Sequence, residues 1–250
     1  AQKLANGDDV AGLTRLLAYC ELPNLGLPYA CDVAAGYFLK GGNLVPMDQE
    51  RAVALNRAGC EGGDAGACAH LAFRYQDGRG VEIDVAQAET LLDRACLENV
   101  AEACRKLAEI RLDAAELQPS KVRLALAAME RACELEDGEG CNRLGILLSE
   151  GEGDAAEDTS RVEGLYRQSC QLGFAWGCYN EAWWSDAGSA GEAPWAAEKL
   201  KLSCEMGLAQ GCHAYAERLL GGRGVIYDAQ AGAEYKTQAC ELGMEEACVE

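Results

Sequence analysis

The sequence predicts an all-α fold, a solenoid of short antiparallel helix pairs, and three observations carry that expectation. The first is a repeated cysteine spacing. Cys60/Cys68, Cys96/Cys104, Cys133/Cys141, Cys170/Cys178, Cys204/Cys212 and Cys240/Cys248 each stand eight residues apart, and Cys20/Cys31 opens the series with a wider gap. The first cysteines of successive repeats are 40, 36, 37, 37, 34 and 36 residues apart, the period of a helix-pair repeat. The second is composition: 49% apolar residues against 6% aromatic, with only five prolines, suits helices whose small side chains permit close approach. The third is that β-branched residues are scarce and never alternate as a half-buried strand requires. A regular array buries its core between neighbouring repeats. Residues 1–250 are therefore expected to form a single solenoid, its hairpins centred on the seven cysteine pairs and the last one truncated.

Residues 1–7 are too short to read. Asp8 and Asp9 look like an N-cap and a first-turn acid ahead of the apolar pattern Val10, Leu13, Leu16 and Leu17, in a helix ending near Cys20. The connector over 21–28 is longer than its later counterparts and carries two prolines. A second helix covers about 29–40. Asp48, after the loop 41–47, caps a helix running to Cys60, and its partner covers 65–76. Asp84 closes the loop Gly78-Arg-Gly-Val-Glu-Ile-Asp84 and caps the next helix. Further helices are expected near 85–98, 101–116, 121–136, 139–149, 159–172, 175–186, 193–206, 209–220 and 228–242. The links 150–158 and 186–193 are rich in Gly, Ser and Glu. After Cys248 only Val249 and Glu250 remain, so the last partner helix is expected to be short or absent.

In each hairpin the first cysteine falls in the last turn of one helix and the second in the first turn of the next. Such ends lie close enough for the Cα separation of about 5.5 Å that a disulfide needs. Fourteen cysteines with two histidines and no CxxC are poor material for zinc. One local bond per repeat is the simplest connectivity: Cys20–Cys31, Cys60–Cys68, Cys96–Cys104, Cys133–Cys141, Cys170–Cys178, Cys204–Cys212 and Cys240–Cys248. An even, fully paired set implies an oxidising compartment, secreted or periplasmic. The chain starts at Ala1 with no leader-like segment, which fits a mature exported protein or a trimmed one. No run approaches the roughly 20 apolar residues that span a bilayer. No metal or cofactor is expected.

The formal charge of −19 weighs against a nucleic-acid partner, which needs a basic footprint. It favours a basic protein surface through long-range steering, or serves only to keep an exposed helical surface soluble.

A helix ending in Ala-Cys, a tight turn, Cys-x-x-Leu-Gly/Ala and then Gly-x-Gly-Val-x-x-Asp resembles the Sel1-like repeat. Ala67-Cys68-Ala-His-Leu71-Ala72-Phe-Arg-Tyr75-Gln-Asp-Gly78-Arg-Gly80-Val81-Glu-Ile-Asp84 carries the full pattern. Gly222-Arg-Gly224-Val225-Ile-Tyr-Asp228 repeats the loop, and Cys141-Asn-Arg-Leu144-Gly145 the helix start. The C-x7-C pairs make the chain most similar to the cysteine-rich secreted branch first described in Helicobacter. The resemblance covers the chain from about residue 10. It implies a right-handed α/α superhelix whose concave face, lined by one helix of each pair, binds other proteins. Some exported members are immunity proteins that neutralise toxins, and some cysteine-rich members bind penicillin or show weak β-lactamase activity.

The repeat is broken in places. The loop 112–119 has lost its glycines and valine, and the link 186–193 has lost the pattern. Glu181 stands where Leu71, Leu107 and Leu144 stand, and Arg111 and Ser185 stand where Tyr75 does. Glu181 is expected to be a re-registered, solvated residue. Arg111 is expected either to pair with an acid on an adjacent helix or to snorkel. All four tryptophans, Trp176, Trp183, Trp184 and Trp195, lie within twenty residues, beside Phe174 and Tyr179. On a helix Trp176, Tyr179 and Trp183 share one face, and Glu181 and Trp184 another. Both faces cannot easily be buried. Either one packs against neighbouring helices and the other covers the link 186–195, or the cluster is an interaction hot spot.

No catalytic constellation is apparent. No serine has Lys three residues on, as a penicillin-recognising serine enzyme requires, and HExxH and GxSxG are absent. A cysteine nucleophile needs a free thiolate, and the pairing consumes every thiol. His70 and His213, two and one residues beyond their cysteines, read as surface or packing residues. Gly78-Arg-Gly80 is the repeat's own turn, set by the need for positive φ. The expected function is a non-catalytic, exported protein-binding scaffold of adaptor or immunity type, with Trp176, Tyr179, Glu181, Trp183, Trp184, Trp195 and Arg111 as candidate binding residues. The alternative is a binder of penicillin or peptidoglycan fragments with weak β-lactamase activity.

Overall fold

A computed structural model describes residues 10–21, 27–42, 45–114, 120–151, 159–186 and 193–248. The expected caps at Asp8 and Asp9 lie outside these residues. So do most of the proline-bearing connector, the end of the loop before Ser120, and most of the links before Thr159 and Ala193. Thirteen α-helices and no strand occur among the described residues. They are α1 Val10–Glu21, α2 Pro28–Lys40, α3 Gln49–Glu61, α4 Ala65–Asp77, α5 Val85–Leu97, α6 Ala101–Asp113, α7 Ser120–Glu134, α8 Gly138–Ser149, α9 Thr159–Gln171, α10 Ala175–Asp186, α11 Pro194–Glu205, α12 Ala209–Gly221 and α13 Ala229–Glu241. Glu245–Cys248 is a single 3-10 turn, the short partner expected for α13.

Helix starts follow the sequence signals closely. The side chains of Asp48, Asp64, Asp84, Asp137 and Asp228 each accept from a backbone N–H of the first turn, satisfying donors that a helix N-terminus leaves open. The chain divides into two compact units, Ala1–Arg131 and Ala132–Glu250, with the division inside α7. In the N-terminal unit consecutive helices from α1 to α6 pack, and α2 lies against α4. In the C-terminal unit α10 packs against α9 and α11, and also touches α8 and α12. That places α8, α10 and α12 in one row.

All fourteen cysteines are joined in seven disulfides within the seven hairpins, with Cα–Cα distances of 4.4 to 4.9 Å. Helices this close need small residues beside the bond. The residues preceding each cysteine face one another as Gly59/Ala67, Ala132/Gly140 and Ser203/Gly211. A Cβ at Gly211 would collide with Ser203 Oγ and stand 2.9 Å from the Cys204 backbone nitrogen. The turn itself has a fixed handedness. Three residues beyond each first cysteine, from the second hairpin onward, φ is positive at Gly63, Asn99, Glu136, Gly173, Gly207 and Gly243. The loops between repeats use the same freedom at Gly78 and Gly80, and a Cβ at Gly80 would meet the Gln49 carbonyl at 2.5 Å.

Candidate functional site

Helix α10 is apolar on most of its circumference, so both of its aromatic faces must find an environment. Trp184 is the packed one. Its Nε1 donates to the Thr159 carbonyl at 3.3 Å, and its ring meets Tyr166 edge-on at 6.1 Å. Trp176, Tyr179 and Trp183 form the other face, a continuous stripe with centroid separations of 5.4 and 6.1 Å. Tyr179 packs on a small core of Ala182, Ala196, Leu200 and Ala214, whereas Trp176 is 38% and Trp183 50% exposed. From α12, the Arg218 guanidinium lies 5.9 Å from the centre of the Trp183 ring, although Arg218 is only 3% exposed. Trp195, in the first turn of α11, is also partly exposed.

Glu181 is not solvated. It is 3% exposed, and the expectation of a surface residue is corrected by what surrounds it. Arg167 Nε of α9 donates to Oε1 at 3.2 Å, and Lys199 Nζ of α11 lies 2.8 Å from Oε2. Arg167 pairs with Glu163 as well. A carboxylate can occupy a leucine position because two cations converge on it from the flanking helices. The triad ties α9, α10 and α11 together directly behind the stripe.

Arg111 belongs to the N-terminal unit and to a network of its own. It reaches Glu89 at 3.1 Å and Asp93 at 2.7 Å, and Lys121 closes on Glu89 at 2.7 Å. The hydrogen bond from Lys121, reinforced by that from Arg111, holds the Glu89 carboxyl below the usual range. This is the adjacent-helix pairing, and it links α5, α6 and α7.

Along the row of second helices a further polar contact recurs. Asp32 of α2 accepts from Asn56 Nδ2 and contacts His70 Nδ1, each at 2.7 Å. In the C-terminal unit Asn180 Nδ2 donates to Asn142 Oδ1 at 2.8 Å. The hydrogen bond to Asp32 raises the His70 pKa, with the Asp32 charge adding to it and burial opposing it. A raised histidine pKa gives stability that is complete below the unfolded value of about 6.5 and fades as pH rises through the folded value. The α2–α4 contact is accordingly expected to loosen as pH rises through that folded value. An NMR titration should place the His70 midpoint above 6.5, and Asp32→Asn should bring it down; an unchanged midpoint would refute the coupling.

No family model matches the chain. Cytochrome c oxidase assembly factor 7 of Xenopus tropicalis is 27% identical over 148 residues. The match takes in 57% of this chain and 64% of that protein, so the chain spans less than two thirds of that relative's length. Among solved structures, a protective antigen of uropathogenic Escherichia coli displaying an SLR fold superposes with a TM-score of 0.78 at 22% identity. That superposition covers 94% of this chain and 50% of the other. A Sel1 repeat protein from Oxalobacter formigenes superposes with a TM-score of 0.71 at 20% identity, over 96% of this chain and 97% of that one. The chain has the Sel1-like repeat fold. An immunity protein from Pseudomonas aeruginosa shares the fold with a TM-score of 0.52 at 18% identity, over 92% of this chain and 86% of that one.

Within the Sel1-like fold the cysteine pairs act as hairpin clamps, and the breaks in the repeat separate into two kinds. Glu181 and Arg111 are centres of interhelical charge networks. Trp176 and Trp183 are the exposed ones, on either side of half-buried Tyr179, borne on a helix that the triad holds. Sequence reading missed Arg218, Lys199 and the Asp32–His70 contact. Each depends on residues from different hairpins meeting in space. A fixed offset does point to one of them: Asp32 follows its cysteine by one residue and His70 by two, as Asn142 and Asn180 do.

Proposed function

We propose that this chain is a protein-binding scaffold working in an oxidising compartment, secreted or periplasmic, and that its contact surface includes Trp176, Tyr179 and Trp183 of α10. The exposed aromatic stripe carries the proposal. Tryptophan is enriched at interaction hot spots, and here two tryptophans stay exposed although the same helix packs a third. Trp195 borders the link that precedes α11 and is counted with the contact residues. Glu181 and Trp184 hold α10 from behind, and Arg111 has the same supporting role in the N-terminal unit. Seven disulfides persist only where thiols are not kept reduced, which supports export. Among the described residues no helix is long and apolar enough to cross a membrane.

The partner is a protein with a basic surface. The C-terminal unit, which bears the stripe, holds 22 acidic and eight basic residues, and such a field speeds the approach of an oppositely charged surface. Likeness of fold to an immunity protein supports a neutralising role against a secreted toxin within this class. The test places a photo-crosslinking residue at Trp176 or, as a control, at exposed Tyr227, and exposes the oxidised protein to periplasm and culture medium. A saturable protein adduct from position 176 and none from 227 is expected. Equal adducts at both positions, or none, would overturn the assignment.

A further inference from the structure

We infer that the stripe Trp176–Tyr179–Trp183 recognises arginine side chains of its partner by stacking, and so prefers an arginine-bearing segment to a lysine-bearing one of equal charge. The inference rests on the reading of the stripe as the contact surface and names the chemistry that the surface selects.

Two observations lead there. First, α10 itself brings no cation to the stripe: its sequence Ala-Trp-Gly-Cys-Tyr-Asn-Glu-Ala-Trp-Trp-Ser-Asp contains no Lys or Arg, and Glu181 is turned inward to Arg167 and Lys199. The stripe therefore presents aromatic faces on a unit whose acidic residues outnumber its basic ones by 22 to eight. An aromatic face carries negative potential and attracts a cation within about 6 Å of its centre, tryptophan most strongly. Second, the protein already places a guanidinium at this stripe. Arg218 lies 5.9 Å from the Trp183 centre. A residue 3% exposed cannot sit on the water side of a ring that is 50% exposed, so the outward part of Trp183 is left for a ligand, as is the exposed part of Trp176.

Arginine suits this surface better than lysine. Its guanidinium is planar and weakly hydrated, and it stacks flat on a ring while keeping its edge hydrogen bonds, whereas an ammonium is a compact charge that gives up more hydration. The field of the acidic unit attracts both equally. Selectivity must come from the rings.

The test uses the intact, oxidised chain and two twelve-residue probes, one alternating Arg and Gly and the other Lys and Gly, titrated at physiological salt with tryptophan emission as the readout. The Arg probe is expected to bind saturably and about two- to fivefold more tightly than the Lys probe, the range that an exposed cation–π contact gives. Trp176→Leu and Trp183→Leu should each weaken the Arg probe by a similar factor and remove the preference, while Tyr227→Ser changes neither. Circular dichroism and a count of blocked cysteines confirm that each variant is folded. Equal affinity for the two probes, unchanged in the tryptophan variants, would mean attraction to a polyanion alone and sink the inference. If an uncharged Ser/Gly probe carrying leucines binds in a stripe-dependent way and the Arg probe does not, the arginine assignment falls while the docking surface stands.

Discussion

Removing the clamp between α5 and α6, by Cys96→Ala with Cys104→Ala, is expected to destabilise the protein by about 2.6 kcal/mol on the chain-entropy account of a nine-residue loop. The contacts immediately beside the bond offer little to compensate. The residues beside the bond, Ala95 and Ala103, are fully buried but offer only a methyl group each, and a buried CH2-sized group contributes about 0.8 kcal/mol. The matching change at the other end, Cys240→Ala with Cys248→Ala, should cost much less in the same experiment. That bond secures only the 3-10 turn Glu245–Cys248, so its loss frays an end rather than parting two packed helices. Denaturant unfolding of the two variants beside the parent measures the difference. An equal, small loss in both would show that the clamps restrain little. Removal of all seven should abolish cooperative folding, and unreduced protein should show no cysteine open to alkylation.

What the sequence made legible was whatever is encoded within one hairpin. The cysteine spacing, the aspartate caps and the glycine turns act over fewer than a dozen residues, and the helix limits expected from them agree with the structure to within about three residues. What stayed hidden was whatever side chains of separate helices make together. Trp183 and Trp184 are adjacent, and an all-round apolar helix gives no periodicity to say which is packed; that was decided by Thr159 and Tyr166 on α9. Glu181 looked like a surface residue because an acid at a leucine position has no partner one turn away on its own helix. Its partners lie 14 residues before it and 18 after it, on separate helices.

Lys199→Met is expected to cost about 3 kcal/mol, whereas Glu181→Leu should be neutral or stabilise by 1 kcal/mol or so. The asymmetry follows from where each charge is left. Without Lys199, Glu181 remains buried with Arg167, whose own side chain is half exposed, and a buried charge deprived of a partner is strongly destabilising. Without Glu181, Arg167 and Lys199 both retain access to water, and leucine restores the residue found at the corresponding Leu71, Leu107 and Leu144. The double variant should recover most of the loss, so the pair is strongly coupled in a double-mutant cycle. A large loss in Glu181→Leu with none in Lys199→Met would reverse the assignment. If the expected order holds, the acid is not kept for stability, since the repeat's own leucine serves at least as well. Its remaining use is to fix α10 at one rotation against α9 and α11. That rotation puts Trp184 on Tyr166 and leaves Trp176 and Trp183 facing outward, so Glu181→Leu should preserve the fold while weakening stripe-dependent binding.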